Sequence, residues 1–227
     1  MLTSTPLFFS AASQTFHIKF QNGETMIEII LNGGFFMLPI LLCSILSLAI
    51  FIEKLWVLQK KRVVPHQFII RIEHLLRSEK IEEAIDLSKK SDSPISRILI
   101  NGIKNFGKKR EEIKEIVEEV GKREAAYLDR HVENLSTIAS VSTLLGLLGT
   151  IAGMIKVFGV ISAQKIVNPS MLAGGISEAL YTTGAGLSVA IPTLIFYRYL
   201  SGKSDQLILE MEEYCMRMVE LLKERQN

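Results

Sequence analysis

The sequence predicts an all-α integral membrane protein with three transmembrane helices and long helical cytoplasmic extensions. Three observations carry this. Apolar residues gather in three long blocks, charge lies almost wholly outside them, and the polar stretches place apolar residues at helical spacing. Of 227 residues 48% are hydrophobic, and 26 Lys+Arg nearly balance 24 Asp+Glu, for a net charge of +2. Such a balance points to no nucleic-acid or acidic partner. A bilayer is the partner that the apolar blocks require.

The first block, 34–52 (GFFMLPILLCSILSLAIFI), is 19 residues without a charge, just enough to span a hydrocarbon core at about 1.5 Å per residue. The second, 135–161 (LSTIASVSTLLGLLGTIAGMIKVFGVI), holds a single charge, Lys156. The third, 171–200 (MLAGGISEALYTTGAGLSVAIPTLIFYRYL), has Glu178 near its start and Arg198 near its end. A soluble protein built on these blocks would have too little polar surface to cover them.

Charge sets the orientation. The segment between the first two blocks, 53–134, carries 18 of the 26 Lys+Arg, with Lys54, Lys60, Lys61 and Arg62 clustered at the membrane exit. By the positive-inside rule it is cytoplasmic. The stretch before block one has only Lys19 and the connection after block two only Lys165, so both face the periplasm; Arg198 and Lys203 place the C-terminus inside. The expected division is a periplasmic N-terminal segment with a short interfacial helix (1–33), transmembrane helix one (34–53), a cytoplasmic helical loop (54–134), helix two (135–161), a short periplasmic loop (162–171), helix three (172–200) and a cytoplasmic C-terminal helix (201–227). Residues 1–25 lack the basic start and long apolar centre of a cleaved signal, and Met26 offers a second candidate start.

Within the loop, 65–90 reads as one helix with Phe68, Ile69, Ile72, Leu75 and Leu76 on its apolar face, and Ser93-Pro94 interrupts it before a short helix at 95–106. From Lys109 onward Ile113, Val117, Val120, Leu128, Val132 and Leu135 keep helical spacing, with no Pro or loop cluster before block two. A single rod from 111 to 161, about 75 Å long, is the expectation. In the tail Leu207, Met211, Tyr214, Met218 and Leu221 alternate steps of four and three, which suits either a coiled-coil seam or an amphipathic helix lying on its own chain's loop. Cys43 and Cys215 fall in different environments and are not expected to pair.

Glu178 is the leading candidate for chemistry, because a carboxylate about two turns inside a membrane helix costs about 2.5–3.5 kcal/mol near the bilayer centre. It either faces a polar ion path or sits shallow enough to reach the headgroups. Ser136, Thr143 and Thr150 recur every seven residues with Ser140 adjacent; this stripe either lines a wet path or bonds back to its own carbonyls. Gly146, Gly149 and Gly153 on helix two, with Gly174, Gly175, Gly184 and Gly186 on helix three, allow close helix approach. Lys156 and Glu178 lie at similar depth on either side of the outer connection, so they pair with each other or Lys156 snorkels outward. Four scattered histidines, no nucleophile motif and no phosphate-binding loop argue against an enzyme.

The stretches LLGLLGTIAGM around Thr150 and GGISEALYTTGAGLSVAIP around Glu178 resemble the pore-lining helices of the ExbB/TolQ family, and EEAIDLSKKSDSPISRIL resembles its cytoplasmic loop. The resemblance runs from about Met26 to the tail. It implies a homopentameric ring around a dimer of a single-span ExbD/TolR-like protein, coupling to a TonB- or TolA-like protein, and protons as coupling ion with no other cofactor. It matches Thr150 to the family's pore threonine, Glu178 to its helix-three glutamate, Thr183 to the hydroxyl five positions later and Pro192 to a proline that permits a kink. Helical geometry instead favours Thr182 as the residue sharing the face of Glu178. Lys156 matches no family motif. The implied role is a proton-channel subunit of a bacterial inner-membrane motor that drives outer-membrane transport or envelope maintenance, with ExbB-like and TolQ-like service and proton and sodium coupling left open. A non-conducting scaffold and a flagellar-type stator are the alternatives; the stator class has four membrane helices where this sequence has three apolar blocks.

Overall fold

The computed structural model describes residues 34–163 and 169–224. The interfacial helix expected within 1–33 and the centre of the outer connection lie outside the described residues. The described chain is helical throughout: α1 (Met37–Val57), α2 (Lys60–Val63), α3 (His66–Arg77), α4 (Ile81–Lys90), α5 (Pro94–Lys104), α6 (Arg110–Asp129), α7 (Val132–Ala163) and α8 (Pro169–Glu224). Three helical stretches are long and apolar enough to cross a membrane: Met37–Val57 and segments within Arg110–Ala163 and Leu172–Lys223. Helix α8 opens on Pro169, whose missing N–H costs nothing in a first turn. It continues through Pro192 and past residue 200 without a break, so the third apolar block and the tail are one helix.

Two compact units form. Among the described residues, one contains 34–41 with those of Thr143–Ser188, the other Leu42–Ser142 with 189–224. The second unit has a core of its own, in which Ile72 of α3, Ile98 and Ile103 of α5, and Val117 of α6 pack with Met211 and Met218 of α8. At Gly102 a Cβ would lie 2.5 Å from the Met218 Cε and 3.0 Å from the Val117 Cγ2, so this glycine lets α5 seat between α6 and α8. The tail therefore lies on its own chain's loop helices. Arg97 of α5 reaches Glu124 of α6 through two hydrogen bonds of 2.7 and 2.8 Å. The Glu124 hydrogen bond holds the Arg97 guanidinium above its ordinary pKa, outweighing the opposing effect of burial.

Two expectations are corrected by the structure, the single helix over 65–90 and the continuous rod over 111–161, while the interruption at Ser93-Pro94 is kept. Residues 65–90 are two helices, because Glu79 takes a left-handed φ of 61° and the Lys80 N–H turns back to the Leu75 carbonyl at 3.0 Å. The reversal folds Ala84 of α4 into the same core as α3, which one straight helix could not do. The interruption at Ser93-Pro94 is a helix start, with Ser93 and Ser96 in a capping box and Pro94 in the first turn.

The continuous rod from 111 to 161 is also broken. Helix α6 ends at Asp129, His131 adopts φ 71°, and α7 starts at Val132. The reason is tertiary: Leu128 is buried in the core of the loop helices, whereas Val132 and Leu135 are buried with Leu200 in a separate cluster. One uninterrupted helix would not present both faces. The carbonyl freed by the break finds a donor in Lys54, whose Nζ lies 3.1 Å from the Leu128 oxygen, while Asp129 accepts from Ser204 at 2.6 Å. Lys54, placed by sequence in the basic cluster at the membrane exit, is 3% exposed. Lys54→Met removes that donor and is expected to lower stability by about 1–2 kcal/mol, the cost of leaving a buried carbonyl unpaired less the relief of no longer burying an ammonium. Thermal unfolding in detergent, read by circular dichroism, checks it; an unchanged midpoint would show that the break needs no cap.

Candidate functional site

In the other unit α7 and α8 meet through small residues. A Cβ on Gly153 would lie 2.7 Å from the Ala179 Cβ and 2.9 Å from the Gly175 carbonyl oxygen; on Gly146 it would lie 3.3 Å from the Thr183 Cα and 3.4 Å from the Gly186 Cα. On Gly149 it would run into the Thr182 side chain. Backbones therefore touch where any larger residue would hold them apart. Gly174 and Gly184 are not part of this contact, since a Cβ there meets nothing within 4 Å.

That approach sets the geometry of the charges. Lys156 Nζ lies 2.6 Å from Glu178 Oε1, with 61% of the lysine side chain and 25% of the glutamate side chain exposed. The structure thus brings these two sequence candidates together within one chain. Gly34, which sequence reasoning did not single out, covers another flank of the acid: it has φ +69°, and a Cβ there would fall on the Glu178 carboxylate. An L-residue at 34 would be strained by its backbone and would displace the carboxylate from Lys156. The Gly33-Gly34 pair at the start of the first apolar block was the available signal.

The hydroxyls divide by role. Thr182 is 1% exposed and donates to the Glu178 backbone carbonyl at 2.8 Å; its side chain fills the space beside Gly149. Thr183 donates across the contact to the Gly146 carbonyl at 2.9 Å, pinning α8 to α7. Thr150 turns back to the Leu147 carbonyl at 2.6 Å, and Thr143 is exposed. Ser140 and Pro192 lie in the other unit, where Ser140 bonds the Ser136 carbonyl at 3.0 Å and Pro192 sits inside α8.

An acid with one oxygen held by an ammonium, beside a glycine-packed contact of two apolar helices, forms a pair with no net charge. These features define a helical membrane protein with an oppositely charged pair between two of its long apolar helices. The chain belongs to the MotA/TolQ/ExbB proton channel family, whose model matches residues 90–213, more than half of it. It is 34% identical over 166 residues to the ExbB-like 3 biopolymer transport protein of Synechocystis sp., a match covering 72% of this chain and 79% of the relative. It is 29% identical over 191 residues to the biopolymer transport protein ExbB of Salmonella typhimurium, covering 78% and 74%. A shorter match, 43% over 79 residues and 35% of each chain, relates it to the Tol-Pal system protein TolQ of Haemophilus influenzae.

Proposed function

We propose that this chain is the proton-conducting stator subunit of an inner-membrane motor, with Glu178 as the group that exchanges the proton. The observation that carries the reading is the Lys156–Glu178 pair at 2.6 Å within the glycine-packed spans of a proton-channel-family protein. Five copies form a ring around an ExbD/TolR-like single-span partner, with the N-terminus in the periplasm and the C-terminal half of α8 in the cytoplasm. Thr150, Thr143, Thr182 and Thr183 belong to the path or its walls. A charge moving through 100 mV gains about 2.3 kcal/mol, so several protons drive one mechanical step. Force then passes through the partner to a TonB- or TolA-like protein, in outer-membrane transport or envelope maintenance.

Lys156 lowers the cost of keeping Glu178 ionised in the bilayer. In water so exposed a pair contributes less than about 1 kcal/mol; within lipid the carboxylate it neutralises would otherwise cost several times that. Lys156→Met is expected to reduce partner-dependent proton flux about tenfold while the ring still assembles. Unchanged assembly together with unchanged flux would remove Lys156 from the site.

The test of the whole reading is co-reconstitution with a single-span partner that bears a membrane acid. Proton entry into vesicles is followed with a pH-sensitive dye under an imposed potential, for each protein alone and for both. Flux that needs both proteins supports a stator. Verified assembly without such flux makes the chain a scaffold.

A further inference from the structure

The second unit carries a surface that neither the ion pair nor the core accounts for. Three cations sit over aromatic rings, each 5.9 Å from a ring centroid: Arg62 over Trp56, Arg198 over Tyr197 and Lys203 over Tyr199. Two of these rings are turned outward, with Trp56 62% and Tyr199 54% exposed. The helices that bear them are side by side, since Phe51 of α1 stacks on Phe196 of α8 at 3.9 Å and Leu55 and Tyr197 pack on one cluster around Leu200. The cations therefore lie at one level, at the end of the apolar part of α1.

Their charge is not spent within the chain. Lys60 is paired with Glu210, but Lys61, Arg62, Arg198 and Lys203 have no carboxylate partner among the described residues. Carboxylates close by are the exposed Glu53 and Asp205 and Asp129, which Ser204 holds next to Lys203, so four cations outnumber three acids. We propose that this rim binds anionic phospholipid headgroups, with phosphates against the separate cation–ring pairs of Arg62, Arg198 and Lys203 and the glycerol level against Trp56 and Tyr199. Amphipathic rings settle at that level of a bilayer, and cations beside them reach the phosphate. A zwitterionic lipid carries its own ammonium and leaves the surplus positive charge unmatched; a net-negative headgroup matches it. The assignment rests on the apolar stretches spanning a bilayer.

Trp56 is the single tryptophan of the chain and so reports on this surface without a label. The full chain is reconstituted in mixed phosphatidylglycerol and phosphatidylcholine bilayers in which one lipid or the other, at equal mole fraction, carries brominated acyl chains that quench tryptophan. Quenching by brominated phosphatidylglycerol is expected to indicate about fivefold enrichment of that lipid beside Trp56. A chain with Lys61→Gln, Arg62→Gln, Arg198→Gln and Lys203→Gln, checked for unchanged helicity, is expected to lose the preference. Equal quenching of the unaltered chain by the two lipids would overturn the proposal while leaving the membrane spans intact. Absence of quenching by either would show that Trp56 does not meet the bilayer and would overturn the spanning reading beneath it.

Discussion

Glu178→Gln is expected to lower partner-dependent proton flux by about a hundredfold, the scale on which removing a positioned proton-transfer group acts. The substitution keeps the shape of the side chain and leaves an amide oxygen that Lys156 can still donate to, so the contact seen at 2.6 Å survives as a neutral–ionic hydrogen bond. Packing nearby is also spared: Thr182 binds the backbone carbonyl of residue 178, not its side chain. The variant should therefore assemble and melt close to the unaltered protein. Glu178→Asp, one methylene shorter, retains a titratable group but no longer spans the distance to Lys156, and should conduct at an intermediate rate. Flux measured with the pH-sensitive dye separates the cases. A glutamine variant that conducts as well as the unaltered chain would show that the proton passes elsewhere.

The second large effect lies in the helix contact. Gly153→Val places a branched side chain where the Ala179 Cβ stands at 2.7 Å and the Gly175 carbonyl oxygen at 2.9 Å. Neither neighbour can rotate away, since one is the first carbon of a side chain and the other is backbone, so α7 and α8 must separate. The expected loss is about 2–3 kcal/mol, the range for overfilling a packed contact, read as a lower unfolding midpoint in detergent. Separation also breaks the Thr183 hydrogen bond to Gly146 and carries Glu178 away from Lys156, so flux should fall with stability. Gly174→Val is the matched comparison, because a Cβ there meets nothing within 4 Å; it is expected to leave the midpoint unchanged. Equal losses in the two variants would mean that glycine's effect here is not the close approach.

Much of this was legible in the chain itself. The three apolar stretches could be located because burying uncharged blocks of that length requires lipid, a property of composition that needs no partner residues. Lys156 and Glu178 could be singled out because a charge inside such a block is costly wherever the helix packs. The glycines of α7 could be read as a contact, but Gly174 and Gly184 on α8 look the same in sequence as Gly175 and Gly186. Only helix rotation tells them apart.

The breaks at Glu79 and His131 had no Gly or Pro to announce them. Their residues are adequate helix formers, and the turns exist because distant side chains make a bent path bury more: Ala84 joins the core of α3, and Leu128 and Leu135 fill two different clusters. Lys54 shows the same dependence. In sequence it is one of several lysines at a membrane exit, and it becomes a buried cap only because α6 stops where its ammonium can reach the freed carbonyl. The sequence by itself determined which segments are apolar enough to cross a membrane and which charges lie inside them, since transfer from water to lipid is a property of each segment alone. Tertiary structure decided where the helices turn and which small residues touch, and placed Gly34 against the Glu178 carboxylate, since those outcomes depend on side chains far apart in the chain.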